Sequence, residues 1–261
     1  MNRIKKPTPL KFLWEFFELN LTSKFIFFVG HKKIMLTDNE FIESLISGNS
    51  LYRWGDGETA ICRGKAISYQ THEPELARRL LQILKIDSVQ VIHGISWAYF
   101  ESLLSLKWNP KNMRVFLSTK LLLSKHLDID TKQKIVETMI WYNNFSRITY
   151  VAKEISNIKQ VVLIASDSRF RSSFPKNTIY IPARKKDCFS DYQTIHREIA
   201  RLINHYAPKK LAIFVAIGPT SKLVVLDFYQ VAQVIDIGHG LNFLYDGPRM
   251  YAWKTDDDKD S

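Results

Sequence analysis

Short apolar runs alternate along most of this chain with segments whose apolar residues recur every three or four positions. Continuous apolar runs are typical of strands buried on both faces, and the periodic segments are typical of amphipathic helices. The runs predict strands at residues 50–54, 89–94, 114–118, 160–166, 178–183, 210–218 and 233–238. This alternation indicates an α/β fold: a single Rossmann-like domain whose mostly parallel sheet has helices on both faces.

Helix-start signals support the predicted helices. Thr37 stands three residues before Glu40, which is the spacing of a capping box, and Pro74 suits the first turn of the next helix. The periodic segments predict helices at residues 37–48, 74–85, 97–107, 131–144, 191–206 and 220–232.

Composition divides the chain into three regions. Residues 1–36 form a basic and aromatic extension, residues 37–250 hold the regular alternation, and residues 251–261 form a polar tail. Apolar residues in the extension recur at helical spacing, and two interpretations of it stay open. In the first interpretation, residues 1–30 form an amphipathic helix that contacts a membrane surface. In the second, this helix packs on its own domain or on a second subunit of a homo-oligomer.

The formal net charge of +11 favours anionic partners such as nucleotides, phosphates or anionic lipids. The sequence has neither paired zinc ligands nor an RNP-like aromatic signature, so nucleic acid is not a predicted partner. No apolar stretch approaches the ~20 residues that a bilayer span needs, and the N-terminus does not resemble a secretory signal. The two cysteines are far apart and fit a reducing compartment. The predicted location is the cytoplasm or, peripherally, the inner face of the cell membrane.

The predicted sheet points to one edge as the ligand site. In doubly wound sheets, ligands bind at the carboxyl ends of the strands. Chemically unusual residues follow five of the predicted strands, at Gly55–Glu58, Ser166–Arg169, Ala183–Asp187, Gly218–Thr220 and Gly238–His239.

Asp56 and Glu58 are the first candidates at this edge. If the turn after residue 54 stays extended, alternation of side chains puts both carboxylates on one side. Two hard oxygen ligands suit Mn²⁺ or Mg²⁺, with phosphate oxygens and water completing the coordination. An ordinary turn uses the same residue types, so that alternative stays open.

The segment Gly218, Pro219 and Thr220 ends a strand and begins a helix, so free N–H groups there predict a phosphate site. Arg169 and Lys185 supply cations that could face a diphosphate. The alternatives are an ordinary strand-to-helix turn and a solvated basic surface.

Asp236 and His239 follow the last predicted strand. A histidine at a strand end can act as a base or contact phosphate, and it is also a common hydrogen-bonded turn residue.

Five motifs occur in a fixed order along the chain. They are R-W-G-D-G-E at 53–58, S-D-S-R after a buried strand, I-P-A followed by Phe189 and Tyr192, A-I-G-P-T, and I-D-I-G-H. Together they resemble the bacterial glycosyltransferases of the GT-D fold, a family formerly described as a domain of unknown function. The resemblance spans residues 37–245.

The resemblance implies a metal-dependent hexosyltransferase. Its donor would be a nucleotide sugar, a UDP-hexose such as UDP-glucose, and its acceptor a growing glycan of a cell-surface polysaccharide or glycoprotein. Asp56 and Glu58 would bind Mn²⁺ or Mg²⁺ against the donor diphosphate, and His239 is a candidate base. The implied donor-binding residues are Arg53, Gly55, Gly57, Arg169, Lys185, Gly218, Pro219, Thr220 and Asp236.

Two segments depart from the family pattern. After I-P-A the chain reads R-K-K-D-C-F, which leaves the roles of Lys185 and Asp187 open, and Asn242 stands where early acidic residues are usual. A lipid-linked acceptor is a hypothesis from the basic extension. Two other functions remain: a different nucleotide- or phosphate-using α/β enzyme, and a non-catalytic basic binding protein.

Overall fold

The computed structural model describes residues 35–95, 110–127, 133–138, 141, 146–238, 240, 242 and 245, with the backbone alone for 110–117. The predicted tail, nearly all of the predicted extension, the predicted helix 97–107 and His239 lie outside the described residues. Within them, no helix combines the length and apolar character needed to cross a bilayer.

Seven strands form one sheet in which every pairing is parallel. Its order is β3-β2-β1-β7-β6-β4-β5. The strands are Ser50–Trp54 (β1), Val91–Ile95 (β2), Lys134–Val136 (β3), Gln160–Ala165 (β4), Ile179–Pro182 (β5), Leu211–Ala216 (β6) and Gln233–Asp236 (β7). Because all strands run in the same direction, their carboxyl ends meet at one edge.

The described helices connect these strands. They are Asp38–Ile46 (α1), Asp56–Cys62 (α2), Pro74–Ile83 (α3), Pro110–His126 (α4), Ser146–Ser156 (α5), Tyr192–Tyr206 (α6) and Thr220–Phe228 (α7). Short 3₁₀ turns occupy Ser168–Ser173 and Cys188–Asp191. The predicted capping box of α1 is present, since Thr37 and Glu40 bond each other's backbone N–H groups.

Alternate residues of the strands feed two separate cores. In β4, Val162 and Ile164 pack with helices α2, α3, α6 and α7, whereas Val161 and Leu163 pack with α1 and α5. The sheet therefore has helices on both faces, and the predicted α/β class is confirmed.

Two sequence predictions were wrong. Residues 114–118 lie inside α4, because a short apolar run cannot be distinguished from a buried helix turn by periodicity alone. Residues 131–144 were predicted as a helix, yet Lys134–Val136 form β3 at the sheet edge. A strand of three residues is too short to show a period, and pairing with β2 decides its structure.

The central strands should carry most of the stability. Ile164 in β4 is fully buried, whereas Ile158, shortly before the same strand, is 59% exposed. We expect Ile164→Ala to lower the free energy of unfolding by roughly 2–5 kcal/mol and the matched Ile158→Ala by less than about 0.5 kcal/mol. Chemical denaturation measures both values, and equal losses would contradict the described burial.

Candidate active site at the carboxyl edge of the sheet

The loop after β1 turns directly into a helix. Gly55 precedes the first helical residue, Asp56, and the N–H of Gly55 donates to Oε2 of Glu58 at 2.9 Å. Positions two apart on a helix do not face each other. Asp56 is therefore exposed while Glu58 is buried, and the predicted extended turn with both carboxylates on one side was wrong.

Glu58 belongs to a buried ionic cluster that we call the lysine bridge, made of Glu58, Lys222 and Asp236. Nζ of Lys222 lies 2.8 Å from Oε1 of Glu58 and 2.9 Å from Oδ2 of Asp236. The three side chains are at most 8% exposed. The cluster thus joins the start of α2, the first turn of α7 and the end of β7.

Opposing effects act on the charges of the lysine bridge. Burial alone would raise the pKa of Glu58, but the ammonium of Lys222 and the hydrogen bonds to the carboxylate hold that pKa below its usual value. Burial alone would lower the pKa of Lys222, and Asp236 with Glu58 raises it instead. Both partners are consequently held in their charged forms.

Asp236 also connects β7 to β1 and closes its own turn. Its Oδ2 accepts from the backbone N–H of Arg53 at 3.2 Å, and its Oδ1 accepts from the N–H of Gly238 at 3.0 Å. The predicted donor residue Asp236 is thus inside the site as a fully buried support.

The Arg53 side chain lies beneath the turn after β7. A Cβ on Gly238 would stand 1.9 Å from Nη2 of Arg53, so a larger residue would displace the guanidinium, and the φ of +49° also favours glycine. Nη1 of Arg53 donates to the carbonyl of Thr138 at 3.0 Å. Arg53 is 7% exposed and contributes positive charge from below the edge.

Helix α7 begins at the same edge. Gly218 adopts φ +62°, which reverses the chain after β6, and Pro219 precedes the first helical residue. Thr220 is fully buried, and its hydroxyl has no hydrogen-bond partner among the described residues. The hydroxyl of Ser221, in contrast, accepts a hydrogen bond from the N–H of Ile217 at 3.1 Å. An unpartnered hydroxyl at a helix N-terminus suits an anionic ligand.

Arg169 and Lys185 lie after β4 and β5, farther along the sheet. Arg169 is paired with Asp167 at 2.6 Å, and its guanidinium lies over the ring of Tyr245. The hydrogen bond from Arg169 is the main reason that the pKa of Asp167 is lowered. Lys185 is exposed. The structure brings the other described candidates together at β1, β7 and β6; these two cations stand on the neighbouring strands.

Three comparisons with known proteins bear on this arrangement. The family model for the glycosyltransferase GT-D fold matches residues 51–167. A solved structure described as a domain of unknown function 1792 with a distinct glycosyltransferase fold is 24% identical, with a TM-score of 0.60 over 83% of this chain and 81% of that one. A new glycosyltransferase from Streptococcus sanguinis is 20% identical, with a TM-score of 0.59 over 82% and 85%.

The chain has the GT-D glycosyltransferase fold.

A curated relative agrees with this family. A Streptococcus gordonii protein named as a probable glycosyl transferase is 25% identical over 223 residues, which are 79% of this chain. The chain spans about a third of the length of that relative, 32%. These likenesses confirm the predicted GT-D fold, and the family model and the curated relative agree with the predicted glycosyltransferase class.

The metal predicted for this GT-D site can be tested against its donor atoms. Both oxygens of Glu58 already accept hydrogen bonds, from Lys222 and from the N–H of Gly55. No group of three or more acidic, histidine or cysteine side chains suited to a metal occurs in the described part of the chain. A two-carboxylate chelate therefore does not fit. Asp56 alone fits the weaker requirement of Mg²⁺-like ions, which bind through one carboxylate with substrate phosphates and water.

A cavity of about 170 Å³ opens beside Asp56. It lies between α2, the segment that follows α2, and α4. Its lining residues are Asp56, Gly57, Thr59, Ala60, Arg63, Lys65, Ile67 and Ser118. The lining thus combines one exposed carboxylate, Asp56, with two exposed cations, Arg63 and Lys65.

Sequence reasoning missed Lys222 and Tyr69. Lys222 resembles any surface lysine in a helix, although its position two residues after Thr220, followed by L-V-V-L, is a weak signal of burial. The side chain of Tyr69 packs against both Gly57 and Gly218, which were predicted as donor-binding residues. Contacts between such distant segments have no local signal.

The lysine bridge predicts a pH-dependent loss of stability in Lys222→Met. Removing the ammonium leaves two buried carboxylates without a cation, which should cost about 3–5 kcal/mol at neutral pH. The exposed Lys153→Met is the matched control. Urea denaturation between pH 4 and pH 8 measures both variants.

The sign of the pH effect follows from linkage. In the native protein the lowered pKa of Glu58 gives stability above the usual carboxyl range, and this stability is lost as pH falls through the folded-state pKa. In Lys222→Met the buried carboxylates instead favour protonation, so that variant loses stability as pH rises. The deficit should therefore be largest at pH 8 and shrink towards pH 4. A deficit independent of pH would contradict the charged state of the bridge.

Proposed function

We propose that this chain transfers a hexose from a nucleotide sugar to a glycan acceptor during synthesis of a cell-surface polysaccharide or glycoprotein glycan. The proposed donor is a UDP-hexose such as UDP-glucose. One observation supports the proposal most strongly. In a GT-D fold, the start of α2 at Asp56 and the start of α7 both lie at the carboxyl edge of β1, β7 and β6.

The start of α7 is the proposed site of the donor diphosphate. The positive end of a helix dipole favours phosphate. The N–H groups of Ser221 and Lys222 already donate to the carbonyls of Gly218 and Pro219, so the dipole supplies the main attraction there. The buried hydroxyl of Thr220 adds a donor that lacks a partner in the described part of the chain. Gly218 and Pro219 hold this turn in place.

Leaving-group stabilisation follows from the charges around that turn. Breaking the glycosidic bond leaves negative charge on the diphosphate, and preorganised positive groups stabilise it most when they need no rearrangement. Arg53 is buried and donates to the carbonyl of Thr138, so its charge is fixed before the donor arrives, whereas the charge of Lys222 is already neutralised by Glu58 and Asp236. Asp56 would hold Mn²⁺ or Mg²⁺ against the diphosphate, and such an ion supplies Lewis-acid neutralisation of the departing charge when bound.

The acceptor side rests on sequence predictions. Inversion of configuration requires a base for the acceptor hydroxyl. His239 is the predicted base and lies outside the described residues, as do residues 1–30, for which membrane contact was predicted. A lipid-linked acceptor and a homo-oligomer remain predictions. The cavity beside Asp56 is a candidate location for a sugar ring next to the diphosphate.

Asp56→Asn tests the donor site. Without this carboxylate, Mn²⁺-dependent affinity for UDP should fall at least about tenfold, the effect of one lost charge-assisted interaction. Isothermal titration with UDP, with and without Mn²⁺, measures the affinity, and glucose transfer from UDP-glucose measures activity. The matched control is Asp87→Asn, an exposed aspartate between α3 and the start of β2, at the opposite edge of the sheet.

Each outcome separates the candidate functions. Mn²⁺-dependent UDP binding that is lost in Asp56→Asn and kept in Asp87→Asn supports the proposal. A UDP affinity that is the same with and without Mn²⁺, and the same in Asp56→Asn, would contradict the metal role of Asp56. Binding of another nucleotide, but not UDP, would favour a different phosphate-using enzyme. Indifference to nucleotides with strongly salt-dependent anion binding would favour the non-catalytic basic protein.

A further inference from the structure

Tyr69 lies between Gly57, at the start of α2, and Gly218, in the turn before α7. A Cβ on Gly218 would lie 2.9 Å from Cε2 of Tyr69, and a Cβ on Gly57 would lie 3.4 Å from the Tyr69 hydroxyl. The same ring therefore contacts the start of α2 and the turn that leads into α7. Its side chain is partly exposed, so part of the ring remains accessible at the carboxyl edge.

The backbone around Tyr69 is fixed from within its own loop. Ile67 and Gln70 exchange backbone hydrogen bonds, with Ile67 N–H to Gln70 O at 2.9 Å and Gln70 N–H to Ile67 O at 3.4 Å. Tyr69 thus stands at the corner of a tight turn. Ile67 of this turn also contacts Gly57 and lines the cavity beside Asp56.

Asp187 fixes the same loop from outside. Its N–H donates to the carbonyl of Tyr69 at 2.9 Å, and its Oδ1 accepts from the N–H of Thr71 at 2.7 Å and from the Thr71 hydroxyl at 2.9 Å. Asp187 adopts φ +53°, a left-handed conformation that aspartate and asparagine tolerate better than most residues. The segment that departs from the family pattern therefore holds the Tyr69 loop in place.

A ring held this way is a contact surface rather than a lid. Three hydrogen bonds to Asp187 and two within the turn restrain the loop that carries Tyr69, and the ring itself lies against Gly218. A partly exposed aromatic ring beside a diphosphate site is suited to pack against a sugar or base, because rings stack at low conformational cost.

We propose that Tyr69 is a donor-contact residue whose ring packs against a ring of the nucleotide sugar next to its diphosphate, and that Asp187 is its positioning residue. This inference rests on the proposed function. The ring of the donor could be that of the nucleoside or that of the hexose, and both have the same chemistry towards an aromatic side chain.

Tyr69→Ala and Tyr69→Phe test the contact by titration with UDP-glucose, UDP and inorganic pyrophosphate in the presence of Mn²⁺. Stacking on an aromatic ring typically changes affinity at least about tenfold on removal. We expect Tyr69→Ala to show that loss for UDP-glucose and Tyr69→Phe to stay within about twofold, since the ring and not the hydroxyl makes the contact. Tyr150→Ala, which removes a 51% exposed tyrosine from α5, is the matched control.

Pyrophosphate distinguishes a contact from a structural effect. Its affinity should be unchanged in Tyr69→Ala because it has no ring. If Tyr69→Ala loses affinity equally for UDP and UDP-glucose, the ring that contacts Tyr69 is that of the nucleoside. If it loses affinity only for UDP-glucose, the contacting ring is that of the hexose. A loss shared by pyrophosphate, or no loss for any ligand, would overturn the contact. If the wild-type protein binds none of the three, the proposed function itself fails.

Asp187 variants test the positioning role. Asp187→Ala removes the acceptor and the tolerance of the left-handed backbone, so UDP-glucose affinity should fall while pyrophosphate affinity stays. Asp187→Asn keeps an acceptor oxygen and that tolerance, and should restore affinity to within about twofold of the wild type. Failure of Asp187→Asn to restore a loss seen in Asp187→Ala, or no loss in Asp187→Ala, would contradict the positioning role.

Discussion

One buried ammonium, Nζ of Lys222, determines how the functional edge of this protein is assembled. It binds Glu58 from the start of α2 and Asp236 from the end of β7, and Lys222 itself belongs to the first turn of α7. Buried charges are costly unless they are paired, so these three segments must arrive together. The chain separates Glu58 from Asp236 by most of the fold, and the bridge is what joins them.

The lysine bridge also explains how two nearby carboxylates take different roles. Glu58 points inward, where an ammonium and a backbone N–H satisfy both its oxygens. Asp56 begins the same helix and points outward beside a cavity. One carboxylate therefore supports the site, and the other remains available to a ligand. The two glycines of the site accommodate Tyr69, which brings an aromatic ring to the same edge.

The parts of the fold that sequence reasoning predicted well have strong local signals. β4 and β6 are almost entirely apolar runs in the middle of the sheet, where burial on both faces demands that composition, and β1 and β7 are short buried strands between turn signals. Because parallel strands present their carboxyl ends together, most of the described site candidates lie on one edge of the sheet, as the sequence predicted. The wrong predictions near α4 and β3 arise where local signals mislead or are missing. Helix α4 contains a short apolar run that resembles a strand, and β3 is a short edge strand defined by its pairing with β2.

The candidate site was less predictable, since its geometry depends on contacts between distant segments. The G-D-G-E stretch is compatible with either an extended turn or a helix start. The hydrogen bond from Gly55 to Glu58 and the ion pair between Glu58 and Lys222 stabilise the helix start. Only the weak signal of the L-V-V-L run marks Lys222 as buried, and nothing local marks Asp187 as the partner of Thr71.

The most direct test of the account is a crystal structure of the protein with UDP and Mn²⁺. The account predicts the diphosphate at the start of α7, the ion on Asp56, and Glu58 still paired with Lys222. A structure in which Glu58 leaves Lys222 to bind the ion, or in which UDP lies away from this edge, would contradict it.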